Sequence, residues 1–319
     1  MAGSESDTSN YELPARDPSR YFVASSPAVH VEFGARSDVG CARPTNEDHF
    51  VVIRRTRQQE KLLGNVSLDG LPTSPDEAFL LALADGMGGA AFGEVASTLA
   101  LRLLWELGHR STQWIMKFDL RDEDDLRERV TALAQMVHGF LLERARSNPQ
   151  WAGMGTTLTA VYTMGLDAVT AHVGDSRAYL CRQGTLDQLT QDHTMAEELI
   201  RSGVPAQEAA PYRNILTKCI GGPDTESSEV HQTYLRLQDG DRLLLCSDGL
   251  TDPLTDEDIA GLLAAHPRSQ DACDALVNLA LERGAKDNVT VLIAAYAAEQ
   301  RGQDSPPAAG PTAVQPTGH

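Results

Sequence analysis

The chain has few cysteines, and their arrangement excludes two classes of protein. Its 319 residues contain five of them, which are Cys41, Cys181, Cys219, Cys246 and Cys273. The number is odd and no two form a C-x-x-C pair, so neither a disulfide framework nor a structural zinc site is expected. The nine histidines are not clustered as zinc ligands either. We therefore expect a cytoplasmic protein whose cysteines stay reduced.

Long apolar runs and positive charge are also scarce. No run approaches the ~20 apolar residues that span a bilayer, and the polar first residues lack the basic start and apolar stretch of a signal peptide. Acidic residues outnumber basic ones by 45 to 27, which gives a formal net charge of -18. Since nucleic acids and anionic membranes attract positive charge, neither is an expected partner. We expect a monomer.

Several catalytic motifs are missing as well. Cysteine phosphatases need an arginine six residues after a cysteine, but the residues at that distance are Glu47, Asp187, Thr225, Asp252 and Leu279. The sequence has neither a P-loop nor a G-x-S-x-G turn, which excludes the ATPases and serine hydrolases that depend on them. The acidic run at 122–125 follows a polar stretch, so we interpret it as a solvated helix start rather than an Asp-x-Asp nucleophile.

Composition divides the chain into three parts. Residues 1–27 are polar and rich in Ser, Asp and Pro, which predicts a flexible arm. Residues 299–319 are rich in Pro, Gly and Ala, which predicts a disordered tail. No linker or internal repeat interrupts residues 28–298, so we expect a single domain. Within it, residues 204–228 have weak periodicity and predict an irregular excursion.

Apolar periodicity predicts sheets covered by helices. Ala78–Ala84 is a continuous apolar run, which predicts a buried strand that stops at Asp85-Gly86. Residues 56–76 read as a loop. Other strands are expected near 29–36, 48–55, 156–163, 168–173, 176–181, 186–189, 229–237, 241–247 and 288–295. Helical spacing or capping signals predict helices that begin near residues 95, 124, 194, 255 and 269. Strand-rich stretches that enclose two pairs of helices indicate an α+β fold.

Four aspartates stand beside predicted strands. Asp85 and Asp248 each end an apolar run and precede a glycine, Asp175 follows a short apolar run, and Asp287 precedes the last strand. The acidic pair Glu47-Asp48 precedes another strand. Carboxylates that converge at one edge of a sheet would repel one another without a cation, and hard oxygen ligands suit Mg²⁺ or Mn²⁺. The set therefore predicts a metal site.

Each aspartate also has an ordinary alternative when it is taken alone. Asp-Gly pairs are common in turns, and a single aspartate after a strand is usually a turn or cap residue. Asp175 could pair with Arg177, and Asp287 could pair with Lys286 or a helix end. The motifs around the aspartates decide between the two interpretations.

Seven short motifs occur in order between about Val31 and Ala295. They are Ser37-Asp38-Val39-Gly40 with Arg43 and Asn46-Glu47-Asp48; Ala84-Asp85-Gly86-Met87-Gly88-Gly89; Gly153-Met154-Gly155-Thr156-Thr157; His172-Val173-Gly174-Asp175-Ser176-Arg177; Gln191-Asp192-His193; Leu245-Cys246-Ser247-Asp248-Gly249-Leu250; and Lys286-Asp287-Asn288-Val289-Thr290. In these motifs the sequence resembles the PP2C-type (PPM) family of metal-dependent protein serine/threonine phosphatases, in its bacterial form.

The resemblance implies a fold and a set of metal ligands. The fold would be a four-layer αββα sandwich, in which two antiparallel β-sheets are flanked by helix pairs. Two divalent cations, Mn²⁺ or Mg²⁺, would bind at one end, with Asp85 bridging both and the Gly86 carbonyl on the second. The other implied ligands are Asp248 and Asp287 for the first cation, Glu47 and Asp48 for the second, and Asp175 with Asp248 for a weaker third.

The resemblance also implies roles for the residues around the metals. Arg43 would clamp the phosphate, because its planar fork can bind two oxygens; its alternative is an ion pair with Glu47 or Asp48. Animal members have His where Met87 stands here, and a thioether cannot donate a proton. Proton donation must then come from a coordinated water or another group. The residues expected to support the ligands or contact the substrate are Ser37, Asp38, Asn46, Thr156, His193 and Asn288. For His193, a structural hydrogen bond is favoured over an acid role.

The implied activity is hydrolysis of phosphoserine and phosphothreonine by a water activated between two cations. The partners would be phosphorylated proteins that a bacterial Ser/Thr kinase modifies, and residues 195–222 would form a flap beside the site. The alternative is a catalytically inactive PP2C-like module that binds or regulates. Loss of metal ligands would mark such a module, and every expected ligand is present.

Overall fold

The computed structural model describes residues 29–57, 76–87, 92–110, 123–222 and 230–298. The predicted arm at 1–27, the predicted tail at 299–319 and most of the predicted loop at 56–76 lie outside these residues. None of the helices in the described part has the length and apolarity to cross a membrane.

Two antiparallel sheets form the centre of the fold. The first sheet has the strand order β1-β12-β11-β7-β8, with strands β1 (Val29–Asp38), β7 (Arg177–Arg182), β8 (Thr185–Gln188), β11 (Arg242–Cys246) and β12 (Val289–Ala298). The second sheet has the order β2-β3-β5-β6-β10, with strands β2 (Asp48–Arg57), β3 (Asp76–Met87), β5 (Leu158–Met164), β6 (Asp167–Val173) and β10 (His231–Arg236). The end of β3 also pairs with β4 (Gly155–Thr156), which pairs with β9 (Ile220–Gly221).

Helices cover the outer face of each sheet. The second sheet is covered by α1 (Phe92–Arg110) and α2 (Glu123–Ser147), and the first sheet by α6 (Asp256–Ala265) and α7 (Ser269–Glu282). The short helices are α3 (Met195–Arg201), α4 (Ala206–Ala209) and α5 (Asp248–Thr251). The order of layers is helix, sheet, sheet, helix, which confirms the predicted αββα sandwich.

Alternation along the strands produces this layering. In β11, Leu243 and Leu245 face the other sheet, while Leu244 and Cys246 face the helices, as expected for side chains with a period of two. In β3, Ala82 and Ala84 pack against α1. Each fully buried Leu contributes roughly 1.5–3 kcal/mol, so the interface between the sheets and the two interfaces between sheet and helices provide most of the driving force for folding.

The structure corrects the predicted end of the third strand. The Asp-Gly pair was expected to stop the strand, but β3 continues through Asp85 to Met87. It continues because Gly86 and Met87 pair with Thr156 and Gly155 of β4, a contact between distant parts of the sequence. Asp85 therefore projects from within a strand.

The predicted helix starts are mostly observed. Thr255 and Asp258 form the reciprocal capping box of α6. Thr194 caps α3 by accepting a hydrogen bond from the Glu197 N–H at 3.2 Å, while the Glu197 carboxylate accepts from Gln191. The excursion after α3 contains α4 and β9.

Candidate metal centre

Three aspartates from different elements converge at one end of the sandwich. Asp85 belongs to β3, Asp175 lies between β6 and β7, and Asp248 is the first residue of α5. Each offers a carboxylate oxygen, and these oxygens lie within 4.8 Å of one another. Oxygen ligands bind Mg²⁺ or Mn²⁺ at about 2 Å, so oxygens at this spacing can share a cation.

Asp48 lies beside this cluster. It is directly opposite Asp85 on the neighbouring strand. Its Oδ2 accepts a hydrogen bond from the Ser247 hydroxyl at 2.7 Å. Its Oδ1 and the Oδ1 of Asp248 are buried and have no hydrogen-bond partner in the structure. Buried carboxylate oxygens without partners are costly, so this donor set fits a bound cation.

The pKa values of these carboxyl groups reflect the same cost of burying negative charge. Burial raises the pKa of Asp48 to about 7, and the charges of Asp248 and Asp287 oppose its ionisation further. Burial likewise raises the pKa of Asp175 to about 7. The pKa values of Asp85 and Asp248 lie well above the usual range, because burial and neighbouring carboxylates both disfavour the charged form. A cation would favour the charged forms instead.

Glu47 lies beside Gly86 and Gly93, two glycines in close contact. Its carbonyl accepts from the Gly86 N–H at 3.2 Å and from the Ser97 hydroxyl at 2.7 Å. A Cβ on Gly86 would lie 2.3 Å from the Gly93 carbonyl oxygen, and a Cβ on Gly93 would lie 2.5 Å from Glu47 Oε2. The Glu47 carboxylate therefore lies against the start of α1, next to Gly86. Gly93 carried no sequence signal for this role.

Arg43 pairs with Asp287 at the rim of the site. Arg43 Nη2 lies 2.6 Å from Asp287 Oδ2, and the arginine side chain is 53% exposed. The alternative considered for Arg43 was an ion pair with Glu47 or Asp48, and the alternative for Asp287 was a pair with Lys286 or a helix end. The observed pair joins Arg43 to Asp287. The guanidinium is thus next to Asp287 and accessible to solvent.

Asn288 and Ser37 fasten the segment that carries Glu47. The Asn288 amide donates to the Val39 and Thr45 carbonyls at 2.9 Å, and its Oδ1 accepts from the Glu47 N–H at 2.8 Å. Asn46 donates to the Ser37 hydroxyl at 2.8 Å. These bonds hold the acidic segment against the start of β12.

Asp38 stabilises a turn and is not part of the carboxylate cluster described above. Its Oδ1 accepts from the Gly40 N–H at 3.0 Å, which stabilises a turn. Gly40 has a φ of 74°, and a Cβ there would lie 2.0 Å from the Asp287 carbonyl oxygen. Asp38 thus shapes the loop that approaches Asp287.

Two threonines fix the backbone at Asp85. The Thr156 hydroxyl donates to the Asp85 carbonyl at 2.8 Å, and Thr157 both donates its N–H to that carbonyl and accepts from the Asp85 N–H, each at 2.9 Å. Sequence reasoning singled out Thr156 but missed Thr157 and Ser247. Their position inside the motifs was the only available signal.

The structure also locates Met87, His193 and Arg177. Met87 ends β3 with its side chain next to Gly155. The Nδ1 of His193 accepts a hydrogen bond from the Gly174 N–H at 3.1 Å. Arg177 binds Asp192, with Nη2 at 2.6 Å from Asp192 Oδ2, and not Asp175, which was the alternative partner considered for it.

Comparisons with known proteins identify the family of the chain. A family model described as protein phosphatase 2C matches residues 69–290. The chain is 35% identical over 283 residues to the serine/threonine protein phosphatase PstP of Mycobacterium tuberculosis, covering 88% of this chain and 48% of that protein. It is 33% identical over 280 residues to the serine/threonine phosphatase stp of Listeria welshimeri, covering 87% of this chain and 100% of that protein. The chain belongs to the protein phosphatase 2C family.

Solved structures share the fold. The catalytic domain of PstP in complex with two manganese ions matches with a TM-score of 0.65 and 33% identity, over 85% of this chain and 100% of that chain. These findings confirm the predicted family and sandwich. The chain spans about half the length of the PstP relative.

Proposed function

We propose that the chain is a metal-dependent phosphatase that hydrolyses phosphoserine and phosphothreonine in proteins. The observation that carries the proposal is the convergence of Asp85, Asp175 and Asp248 in a member of the protein phosphatase 2C family. The buried Oδ1 atoms of Asp48 and Asp248, which lack hydrogen-bond partners, support it. An inactive binding module would not need to keep carboxylates in such an unfavourable setting. We assign the activity to a single domain over residues 28–298.

Two divalent cations, Mn²⁺ or Mg²⁺, would occupy the site. The residues that would hold them are Asp85, the Gly86 carbonyl, Glu47, Asp48, Asp248 and Asp287, and Asp175 with Asp248 would hold a weaker third. When bound, the cations would lower the pKa of a shared water and offset negative charge on the phosphoryl group.

Arg43 would bind the phosphoryl oxygens of the substrate. Its guanidinium is at the rim, half exposed, and fixed at one nitrogen by Asp287. A planar fork can bind two oxygens at once, which orients the phosphoryl group for in-line attack. Met87 has no proton to give to the leaving alkoxide. We therefore assign positioning to Arg43 and no acid role to Met87.

The substrates are proposed to be proteins that a bacterial Ser/Thr kinase phosphorylates. The relatives PstP and stp are named as serine/threonine phosphatases of bacteria. We propose that this chain works as a cytoplasmic monomer. Residues 195–222 would form a flap that contacts the protein substrate.

A metal-dependence assay with matched variants tests the activity. Hydrolysis of p-nitrophenyl phosphate and of a phosphothreonine peptide should disappear in EDTA and return with Mn²⁺. Asp85→Asn and Asp248→Asn should lower kcat at least about 10³-fold, because each replaces a negatively charged ligand of the proposed cations with a neutral amide. Asp187→Asn, an exposed change on β8, is the control. Metal-independent turnover, or wild-type turnover in either site variant, would show that the mechanism is wrong.

A further inference from the structure

The loop that carries Asp175 crosses from one sheet to the other. It joins β6 of the second sheet to β7 of the first. Gly174 has a φ of 117°, and a Cβ at this position would lie 2.5 Å from Thr157 Cγ2. The loop is therefore tight. The position of Asp175 depends on the contacts that hold the residues on either side of it.

His193 holds the residue before Asp175 by two hydrogen bonds. The His193 N–H donates to the Gly174 carbonyl at 2.7 Å. In return, the Gly174 N–H donates to His193 Nδ1 at 3.1 Å. Because Nδ1 accepts, the ring carries its proton on Nε2 when this bond is made. The His193 ring therefore supplies the hydrogen-bond acceptor for the Gly174 N–H.

Asp192 holds the residue two positions after Asp175. Its carboxylate accepts from Arg177 Nε at 2.9 and 3.0 Å and from Nη2 at 2.6 Å. Gln188 also donates to this carboxylate, at 3.0 Å. Bidentate Arg–carboxylate pairs fix the relative orientation of the two side chains as well as their distance. Consecutive residues, Asp192 and His193, therefore hold both sides of Asp175.

The same two residues stand where the flap leaves the domain. The Thr217 N–H donates to the His193 carbonyl at 2.9 Å, and the Met195 N–H donates to the Ile215 carbonyl at 2.8 Å. Thr194 and Leu216 form a β-bridge between these bonds. The outgoing and returning ends of the flap thus meet at His193.

A second histidine fixes the ring of the first. His172 is fully buried and stacks on His193, with ring centroids 5.1 Å apart and an angle of 25° between the planes. The Nδ1 of His172 bonds with the Thr159 hydroxyl at 2.9 Å. The ring of His193 is therefore supported on one face.

We propose that Asp192 and His193 are positioning residues that hold Asp175 in the carboxylate cluster and connect its position to the flap. The proposal rests on the proposed function in giving Asp175 a metal and in taking residues 195–222 as a flap. A change in the flap would reach the site through His193, and loss of the clamp would free the loop that carries Asp175. Neither residue needs to touch the substrate.

Paired substitutions separate the hydrogen bond from the packing. His193→Phe keeps a ring to stack on His172 but has no acceptor for the Gly174 N–H. His193→Asn loses the ring but keeps an acceptor at the position of Nδ1. Asp192→Asn tests the Arg177 side, and Asp271→Asn, which weakens an exposed Arg268–Asp271 pair far from the site, is its control.

Two measurements on the full chain give the readout. Hydrogen exchange in the metal-free protein should quicken about fivefold or more in residues 172–178 and 193–217 of His193→Phe, as expected for one lost hydrogen bond. Calorimetric titration of the same variant with Mn²⁺ should show that the dissociation constant of the weakest binding site rises by about the same factor. His193→Asn should stay near wild type in both, and Asp192→Asn should behave like His193→Phe.

The outcomes separate the clamp from the proposed function. Wild-type exchange in both His193→Phe and Asp192→Asn would overturn the clamp, as would equal effects of the Phe and Asn variants, since packing would then explain them. If His193→Phe does not fold, the comparison of Asp192→Asn with its control Asp271→Asn decides whether the clamp exists. Failure of the wild-type chain to bind Mn²⁺ would overturn the proposed function instead, while the exchange measurement would still test the clamp.

Discussion

Buried carboxylates at the end of the sandwich carry a large electrostatic cost. Raising the pKa of Asp48 from 3.8 to about 7 corresponds to on the order of 4 kcal/mol when the group is ionised. Asp85 and Asp248 face the same penalty from burial and from one another. Natural proteins have net stabilities of only about 5–15 kcal/mol, so a cluster of this kind indicates a function rather than a contribution to the fold.

Arg43 provides a prediction at the scale of one residue. Arg43→Ala should raise KM for a phosphothreonine peptide about tenfold or more, because charge-assisted hydrogen bonds to the phosphoryl oxygens are lost. The effect on kcat should be smaller, as expected when binding rather than chemistry is affected. Steady-state kinetics at saturating Mn²⁺ measure both constants.

Arg236→Ala is the control for Arg43→Ala, since it breaks an exposed ion pair with Asp167 at the opposite end of β6. It should leave both kinetic constants unchanged. An unchanged KM in Arg43→Ala would mean that Arg43 serves only as the partner of Asp287.

The sequence indicated that Asp85, Asp175 and Asp248 would converge, but it did not indicate the ion-pair partners around them. The aspartates were recognisable from their motifs. Arg43 and Asp287 are 244 positions apart, so nothing local indicates their pairing. The choice of Asp192 over Asp175 as the partner of Arg177 likewise depends on how the loop turns at Gly174. Ion-pair partners are set by loop geometry, which a single sequence does not reveal.

The contact between α1 and β3 provides a prediction at the scale of elements. Gly93→Ala adds a Cβ that would lie 2.5 Å from Glu47 Oε2 and 2.7 Å from the Gly86 carbonyl carbon. Backbone cannot yield as a flexible side chain does, so the helix must shift. We expect a loss of about 1–3 kcal/mol in the free energy of unfolding and a large loss of turnover.

Gly139→Ala is the matched control in α2, where a Cβ meets nothing within 4 Å. It should raise the free energy of unfolding by about 0.5–1 kcal/mol, because alanine is the better helix former. Denaturant unfolding and turnover are measured on both variants. If Gly93→Ala matches the wild type in both properties, the close approach of α1 to Gly86 has no role in the site.

Strand positions followed from the sequence where the pairing was local. The turn at Gly165 joins β5 to β6, and apolar and β-branched runs identified both strands. The continuation of β3 to Met87 could not be predicted, because Asp85-Gly86 is typical of a turn and the stabilising partners come from β4. Pairing between distant segments depends on the assembled fold.

The site exists only when the two sheets are packed together. Asp48 and Asp85 belong to the second sheet, Asp248 and Asp287 lie in connections of the first, and Asp175 lies on the crossing between them. Any ligand that binds this set binds only the folded chain. Folding and ligand binding are therefore thermodynamically linked.

Stability in acid provides a prediction at the scale of the whole molecule, and it concerns a buried histidine on β6. His172 is fully buried on β6 and faces His193 and His231. Its pKa lies well below the ordinary 6.5, first because of burial and then because of the charges that these two histidines would carry. A base with a depressed folded-state pKa stabilises the fold above its unfolded-state pKa, and that stability is lost as pH falls below about 6.5.

His172→Asn should therefore flatten the loss of stability in acid. Between pH 7.5 and 5.5, the free energy of unfolding of the wild type should fall by about 1.4 kcal/mol more than that of the variant, because only the wild type must keep this ring neutral. Asparagine can still bond to the Thr159 hydroxyl, and groups that titrate in both proteins cancel in the difference.

Denaturant unfolding at several pH values and fixed Mn²⁺ measures the effect, with His30→Asn, an exposed change on β1, as the control. Parallel pH profiles of wild type and His172→Asn would contradict a buried neutral histidine, whereas a flat profile in the control as well would trace the effect to histidine content rather than to His172.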